Sequence, residues 1–429
     1  MGALARDVDL VVVGAGPAGI AAALTAHRAG GSVRVLDRAT FPRDKTCGDG
    51  LTAAALRHLE ALGVAVPGLA AARAPDRPAV ARVDTVVVVG PDGRRVELPL
   101  PVDGLHSVVT PRIDLDHALV AHARAAGVEV TEAAPVTGVA VDHAGVTVDH
   151  AGGPTRARFC IAADGHYSTV RRLVAPDAVA DLGSWHAFRQ YFRNVAERRL
   201  VVLFEPDLLP GYAWVFPLPG DRANVGFGVL RRPGTSGKAL AATWRDLLDR
   251  PSLRAVLGPD AEPEDTHRAW PIPADFRADR CSAGPVLFVG DAAAVVDPMT
   301  GEGIAQALET GILAARAVTA GGPAAAVAAR YRTAVTRALG RDLRFAAALQ
   351  RLLATPGGVR TALRLVDATP WTRRNFARWM FEDYPRALVL TPDRWRRGAF
   401  TPPGAFAGPS ARTVDDAGGG PDPVRTLGS

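Results

Sequence analysis

Gly290-Asp-Ala-Ala-Ala-Val-Val-Asp-Pro-Met-Thr-Gly-Glu-Gly-Ile304 is the stretch whose reading decides the fold. It follows an apolar run over residues 286–289 that reads as a buried strand, and it opens a long helical segment. Asp291 therefore stands at a strand end, and Gly301 and Gly303 stand at a helix N-terminus. A helix start with bare glycine amides suits an anion. A second cradle lies near the other end of the chain. There Gly14-Ala15-Gly16-Pro17-Ala18-Gly19 falls between an apolar strand over residues 8–13 and a helix. That spacing alone says little. Two such cradles, one at each end of the folded region, point to one long dinucleotide held at several points.

The chain has 429 residues, enough for two domains or one large interleaved pair. Its 48% hydrophobic and 22% charged residues are those of an ordinary globular protein. The three cysteines, Cys47, Cys160 and Cys281, show no metal-like spacing, which argues for a reducing cytoplasm and against disulfides or a metal site. The first strand begins too early to leave room for a signal peptide, and no apolar run approaches the roughly 20 residues of a membrane span. Lysine occurs only at positions 45 and 238, so nearly all positive charge is arginine. Residues 323–399 hold 15 Arg against 5 acidic residues, while the whole chain carries only +6. A solvated helical surface accounts for that excess. So does a peripheral contact with anionic lipid at the inner face of a membrane. No aromatic-basic reading motif accompanies the arginines, which argues against nucleic acid.

Residues 7–37 read strand, glycine turn, helix, strand. They end at Asp37, where a carboxylate can bind a ribose hydroxyl, with Arg38 beside it. Apolar runs around Pro91-Asp-Gly93 predict a hairpin over 83–102. Arg112 opens a helix that closes at Gly127. Two strands flank His143-Ala-Gly145, the first near Val136, and a further strand ends at Asp164-Gly165. A helix starts near Ser168. From 184 to 270 the pattern turns β-rich, with strands expected over 185–195, 200–205, 213–217 and 224–229. Beyond Pro323 the chain reads as helical to about 385.

With these three signatures in this order, the glycine cradle, Asp164-Gly165 and Gly290-Asp291-Ala292, the chain resembles the flavoprotein hydroxylase superfamily that includes para-hydroxybenzoate hydroxylase. The resemblance covers roughly residues 7 to 320. It implies an α/β fold in which a Rossmann-like FAD-binding domain is interleaved with an antiparallel β-sheet substrate domain. It also implies FAD contacts from Arg112, Asp291, Pro298, Gly301, Gly303 and Ile304, and a backbone contact to adenine from Val136. The helix start at Gly301 and Gly303 suits the negative charge that collects on the N1/O2 side of a reduced flavin. The expected division is an FAD-binding domain over 5–82, 104–183 and 271–355, and a substrate sheet over 83–103 and 184–270. A helical region over 356–407 and a disordered tail over 408–429 follow.

Two further stretches, Phe41-Pro-Arg-Asp-Lys-Thr-Cys-Gly-Asp-Gly-Leu51 and Pro210-Gly-Tyr-Ala-Trp-Val-Phe-Pro217, are similar to those of the geranylgeranyl reductase family. That resemblance implies reduction of isoprenoid double bonds by FADH2. It places Cys47-Gly48 beside the flavin, and Tyr212, Trp214 and Phe216 along a prenyl tunnel. Cys47, Tyr212 and Trp214 are the catalytic candidates; Asp49 and His186 join Cys47 and Tyr212 as possible proton donors. As plain residues, Cys47 reads equally as a small packing residue and the aromatics as core, although strand alternation puts all three on one face. The rival reading is an FAD-dependent monooxygenase of an aromatic, terpenoid or polyketide compound. A halogenase would need a catalytic lysine, and neither Lys45 nor Lys238 stands obviously in place. No second dinucleotide cradle is evident, so NADPH would bind transiently, or a ferredoxin-type protein would supply electrons. The substrate is expected to be a hydrophobic small molecule or lipid. Nothing in the sequence sets the oligomeric state.

Overall fold

The computed structural model describes residues 7–66, 80–100, 106–176, 183–232 and 236–381. The expected tail over 408–429, the end of the helical region over 382–407 and residues 101–103 lie outside them.

The strand Val8–Val13 is buried on both faces, and so it reads as an unbroken apolar run rather than an alternation. It pairs in parallel with Val33–Leu36 on one side and Gly153–Ala162 on the other. Glu129–Thr131 and Val286–Phe288 extend the parallel sheet outward on the two flanks. The antiparallel hairpin Val136–Asp142 and Gly145–His150 hangs from Gly153–Ala162. Strand order thus reverses at Val8–Val13, and the crevice beyond the strand ends at that switch point is where an α/β sheet receives a nucleotide.

The helix Pro17–Arg28 starts directly after the glycine turn, with Pro17 in its first turn where a missing N–H costs nothing. It packs along the helix Ile304–Thr319. The approach is too close for side chains. A Cβ on Gly311 would lie 2.2 Å from the Ala18 carbonyl oxygen, and one on Gly290 would lie 3.2 Å from the Ala18 Cβ. The two cradles read at opposite ends of the chain are therefore brought together, the start of one helix packed against Gly290 of the second cradle and against Gly311, midway along the helix that follows it.

The second sheet runs Glu262–Pro263, Trp185–Arg193, Ala223–Leu230, Tyr212–Pro217, Leu200–Leu203, Thr85–Val89, Arg95–Pro99, and Arg268–Ile272 also pairs with Trp185–Arg193. The expected hairpin forms as Thr85–Val89 against Arg95–Pro99, turning at Gly93 with φ +78°. One pairing departs from an all-antiparallel sheet. Leu200–Leu203 runs parallel to Thr85–Val89, because these strands come from separate passages of the chain and no hairpin joins them. A small third sheet, Gly50–Thr52, Ser107–Val109 and Ala81–Arg82, lies in the 50–109 region.

Three helices follow, Ala324–Leu352, Pro356–Val366 and Pro370–Phe381. Val359, Leu363 and Ala377 join Val86, Val88, Val96 and Leu98 in one apolar cluster, so these helices cover the hairpin. Arg94 on the hairpin pairs with Asp367 at 2.8 Å across that junction.

Candidate flavin and substrate site

Only one of the three N-terminal cradle glycines is open toward a ligand. A Cβ on Gly14 would lie 2.4 Å from the Ala163 carbonyl oxygen, and one on Gly19 would lie 1.8 Å from that of Gly14. Those two allow backbone to cross backbone. A Cβ on Gly16 would meet nothing nearer than Arg43 Nη2 at 3.7 Å and Arg112 Nη2 at 4.0 Å. The Gly16 backbone and the two guanidinium groups facing it could seat an anion. Asp37 accepts from the Ala15 amide at 2.6 Å and from Ala39 at 2.8 Å, which fixes the carboxylate at the crevice edge.

Arg112 starts its helix and reaches Asp116 one turn on with two hydrogen bonds, Nε at 2.8 Å and Nη2 at 2.7 Å. Arg43 reaches the same carboxylate at 2.7 Å. Asp116 is fully buried. One acid thus holds two cations, leaving a net positive charge facing the seat. Burial opposes the charge of Arg112, but pairing with Asp116 outweighs it and drives the pKa up. Arg43 and Asp116 were not singled out as site residues from sequence. The i, i+4 spacing of Arg112 and Asp116 on a helix was the available signal for the acid.

The loop carrying Cys47 and Gly48 is held by a buried polar chain. Asp49 takes a left-handed backbone, φ +64°, and is completely enclosed. Its carboxylate accepts from Tyr191 Oη at 2.7 Å, Asn224 Nδ2 at 2.8 Å and the Arg112 amide at 3.2 Å. Burial pushes its pKa up to about 6, against those hydrogen bonds. Asn224 also donates to the Cys47 carbonyl at 2.8 Å and accepts from Trp214 Nε1 at 3.0 Å. The Cys-Gly loop and the aromatic strand are therefore locked together. Gly48 and Gly50 face the Phe216 ring, where added Cβ atoms would lie 3.3 and 3.6 Å away.

The 290–304 segment completes the seat. Asp297 gathers its own turn, accepting from the amides of Met299 at 2.9 Å and Thr300 at 2.8 Å. Tyr212 Oη donates to the Thr300 carbonyl, tying the aromatic strand to this turn. Gly303 caps the helix Ile304–Thr319, as its position before the apolar run implied. Asp291 lines the seat beside Gly301 and Gly303.

These elements surround one cavity of about 820 Å³, with Asp116, Tyr191, Asn224 and Asp297 standing behind its lining. Gly14, Gly16, Pro17, Ala18, Asp37, Arg38, Cys47, Gly48, Arg112, Val136, Asp164, Gly165, Asp291, Gly301, Gly303 and Ile304 line it. Ala15, Gly19 and Pro298 do not; the Ala15 amide is engaged by Asp37, Gly19 sits against Gly14, and the Pro298 carbonyl accepts from Gln350. Tyr212, Trp214 and Phe216 form one wall, as alternation required. His186 stays off the lining while its strand neighbours Trp185 and Ala187 are on it. Lys45, not obviously in place from sequence, is on the cavity wall with its Nζ 4.0 Å above the Trp270 ring. The cavity is also lined by Val86, Val88 and Leu200 of the sheet and by Leu353, Leu363 and Phe376 of the closing helices, which form one apolar cluster with Phe216. Read from sequence as a basic surface, the closing helices also supply the far wall of the cavity. Among the described residues, no group of three or more His, Cys, Asp or Glu could hold a metal ion.

The residues present could hold FAD: an open glycine facing two cations, a fixed carboxylate at one end, and a glycine helix start at the other. The FAD-binding-domain family model matches residues 7–321. Menaquinone reductase of Mycolicibacterium smegmatis is 33% identical over 344 residues, covering 73% of this chain and 77% of that protein. Digeranylgeranylglycerophospholipid reductase 1 of Methanopyrus kandleri is 32% identical over 321 residues, covering 72% and 79%. Among solved structures, a geranylgeranyl bacteriochlorophyll reductase-like protein of Thermoplasma acidophilum superposes with a TM-score of 0.73 at 22% identity, covering 90% of this chain and 98% of that one. Both the motifs and these relatives place the chain among the FAD-binding flavoproteins, and within them it belongs to the geranylgeranyl reductase family.

Proposed function

We propose that this protein reduces carbon–carbon double bonds in the prenyl chain of a lipid or quinone. The observation that carries this reading is the single cavity that joins the dinucleotide seat to an apolar, aromatic-walled channel. A compact polar substrate has no use for the Val86, Leu363 and Phe376 end; a polyprenyl chain does. The relatives named as menaquinone and digeranylgeranyl lipid reductases support the same substrate class.

When bound and reduced, FAD supplies a hydride. An isolated trisubstituted alkene accepts hydride poorly, since no carbonyl takes up the charge, so proton donation must lead or accompany it. Positive charge then builds on the tertiary carbon. The ring faces of Tyr212, Trp214 and Phe216 can stabilise such charge by about 0.5–2 kcal/mol each. The apolar walls exclude water that would trap a cation. Asn224 fixes the Trp214 ring by its indole N–H, and Asp49 fixes Asn224, so the aromatic wall is held before substrate arrives. Arg112, Arg43, Asp37 and Gly16 bind, while Asp291, Gly301, Gly303 and Cys47-Gly48 shape the seat at the ring end. We assign residues 7–66, 106–176 and 273–352 to cofactor binding and the second sheet to substrate binding.

The same reading extends to location. Leu352, Leu365 and Trp371 are 56%, 66% and 72% exposed on the helices that close the channel, beside Arg351, Arg360 and Arg364. Apolar tips among arginines suit peripheral contact with an anionic lipid surface on the cytoplasmic side. No helix of the described residues is long and apolar enough to cross a membrane. A nicotinamide or a ferredoxin-type protein would provide the electrons.

The test is anaerobic incubation of dithionite-reduced protein with menaquinone and with a digeranylgeranyl lipid, read by mass spectrometry. A gain of two hydrogens supports the reading. Oxygen gained only under air supports a monooxygenase instead. Equal sedimentation with neutral and anionic liposomes would remove the membrane contact.

A further inference from the structure

Of the chain's 50 basic residues, all but two are arginine. The exceptions are Lys238, which is exposed on a surface helix, and Lys45, which lines the cavity. The two cations differ in one chemical respect that matters inside a site. A guanidinium holds its proton throughout the working pH range, whereas a buried ammonium can release it. Where this chain needs only positive charge near the cofactor seat it uses arginine, as at Arg43 and Arg112. Lys45 stands close enough to Arg43, Arg112 and Cys47 to interact with each of them electrostatically.

From this placement we infer that Lys45 is the proton donor for the reduction, giving its Nζ proton to one alkene carbon as hydride reaches the other. The inference rests on the prenyl-reductase reading above. In the step the C=C π bond, one Lys45 N–H bond and the hydride-bearing bond of the reduced flavin break, and two C–H bonds form; the π pair takes the proton and the hydride brings its own pair. The reduced flavin is oxidised by two electrons. Lysine is left as a neutral amine and regains a proton from solvent.

The surroundings suit that role. Lys45 Nζ sits over the face of Trp270 at 4.0 Å and donates to the Thr46 carbonyl at 3.3 Å, so its head is held at the cavity wall, with Asp291 the acidic group that acts most on it among the described residues. Burial lowers its pKa to about 8. Asp291 and Cys47 act against that shift; Arg112 and Arg43 act with it, and His166 faces it from the Asp164-Gly165 turn. Near neutral pH the group is therefore charged and also a competent acid.

The other expected donors are less suited. Tyr212 Oη is committed to the Thr300 carbonyl, burial raises the Cys47 thiol, Asp49 is enclosed by three donors, and His186 is off the lining.

Two measurements test this. In the first, purified full-length protein is acylated by an amine-specific reagent at graded pH, and peptide mass spectrometry compares Lys45 with Lys238. Lys45 should gain reactivity as pH rises through about 8; a reactivity profile indistinguishable from that of the exposed Lys238 overturns the proposal. In the second, Lys45→Arg and Lys45→Met are compared with wild type for FAD content, visible spectrum and single-turnover alkene reduction. Both variants should keep FAD and its spectrum, and both should lose about 10²–10⁴-fold in rate, the usual weight of a general acid. Wild-type turnover should fall as pH rises through about 8. If wild type reduces the alkene and Lys45→Arg matches it, the lysine assignment falls and the reductase reading stands. If wild type adds no hydrogen to any polyprenyl substrate, the reductase reading falls and the lysine's role falls with it.

Discussion

Replacing Asp116 by Asn separates what this acid does for the fold from what the cofactor does for the same cations. The substitution keeps volume and removes one negative charge. Arg112, only 10% exposed at its side chain, then loses both its short hydrogen-bond partners as a charge, and Arg43, at 23%, loses its own. Removing one member of a buried ion pair costs about 3–5 kcal/mol, because the surviving charge stays desolvated. Most of that belongs to Arg112, since Arg43 retains contact with water. The flavin-free protein should therefore lose about 3–5 kcal/mol of unfolding free energy in urea. With FAD present, a pyrophosphate replaces the missing charge, and the loss should shrink. By thermodynamic linkage the variant then binds FAD more tightly than wild type, about tenfold for each 1.4 kcal/mol by which the loss shrinks. Urea unfolding with and without FAD, together with a flavin-fluorescence titration, measures both legs of the cycle. A flavin-free loss below about 1 kcal/mol, or weaker FAD binding in the variant, would refute the shared-counterion argument.

Three other substitutions test separate parts of the structure. Gly19→Ala places a Cβ 1.8 Å from a backbone oxygen and should destabilise the fold by about 1–3 kcal/mol or more, while Gly16→Ala, with 3.7 Å of room, should fold normally and lose FAD affinity; thermal melts and flavin titration distinguish them. Asp49 has a folded pKa raised from 3.8 to about 6, so it adds stability below about pH 4 that is lost as pH rises through 6, about 3 kcal/mol in all. Urea unfolding of Asp49→Asn should lack that slope, and curves parallel to wild type from pH 4 to 7 would contradict it. Ala362→Trp fills the far end of the channel and should leave FAD binding intact while lowering turnover of long prenyl chains by about tenfold relative to short ones; equal rates for both lengths would show that the chain takes another route.

What could be read from the sequence was local. The glycine turn, the strand before it and the helix after it are written in adjacent residues, and so is the hairpin around Gly93. The 290–304 segment was legible for the same reason, because its Asp297 turn and helix cap close on themselves. Side chains that meet across long separations were not legible. Nothing near Asp116 says that Arg43 will reach it, and nothing near Asn224 says that it will bond both Asp49 and the Cys47 carbonyl. The arginine-rich helices hid their second role for another reason. Leu349, Leu353, Val359 and Leu363 are spaced as ordinary core residues, and only the fold shows that the face they form lines a channel. Lysine scarcity was visible as a count, but its meaning depended on where Lys45 stands.

The clamp between the helices Pro17–Arg28 and Ile304–Thr319 also has a meaning in time. Gly311, which packs against Ala18, leaves the ribosome only after the 292 residues between them have been made. At the usual 5–20 residues per second, that interval is on the order of 15–60 s. During it the strand Val8–Val13 also lacks its neighbour Gly153–Ala162 for about half the wait. The glycine cradle at residues 14–19 is thus synthesised long before the helix Ile304–Thr319 that packs against it, and for that interval the growing chain carries a nucleotide fold without the second half of its site.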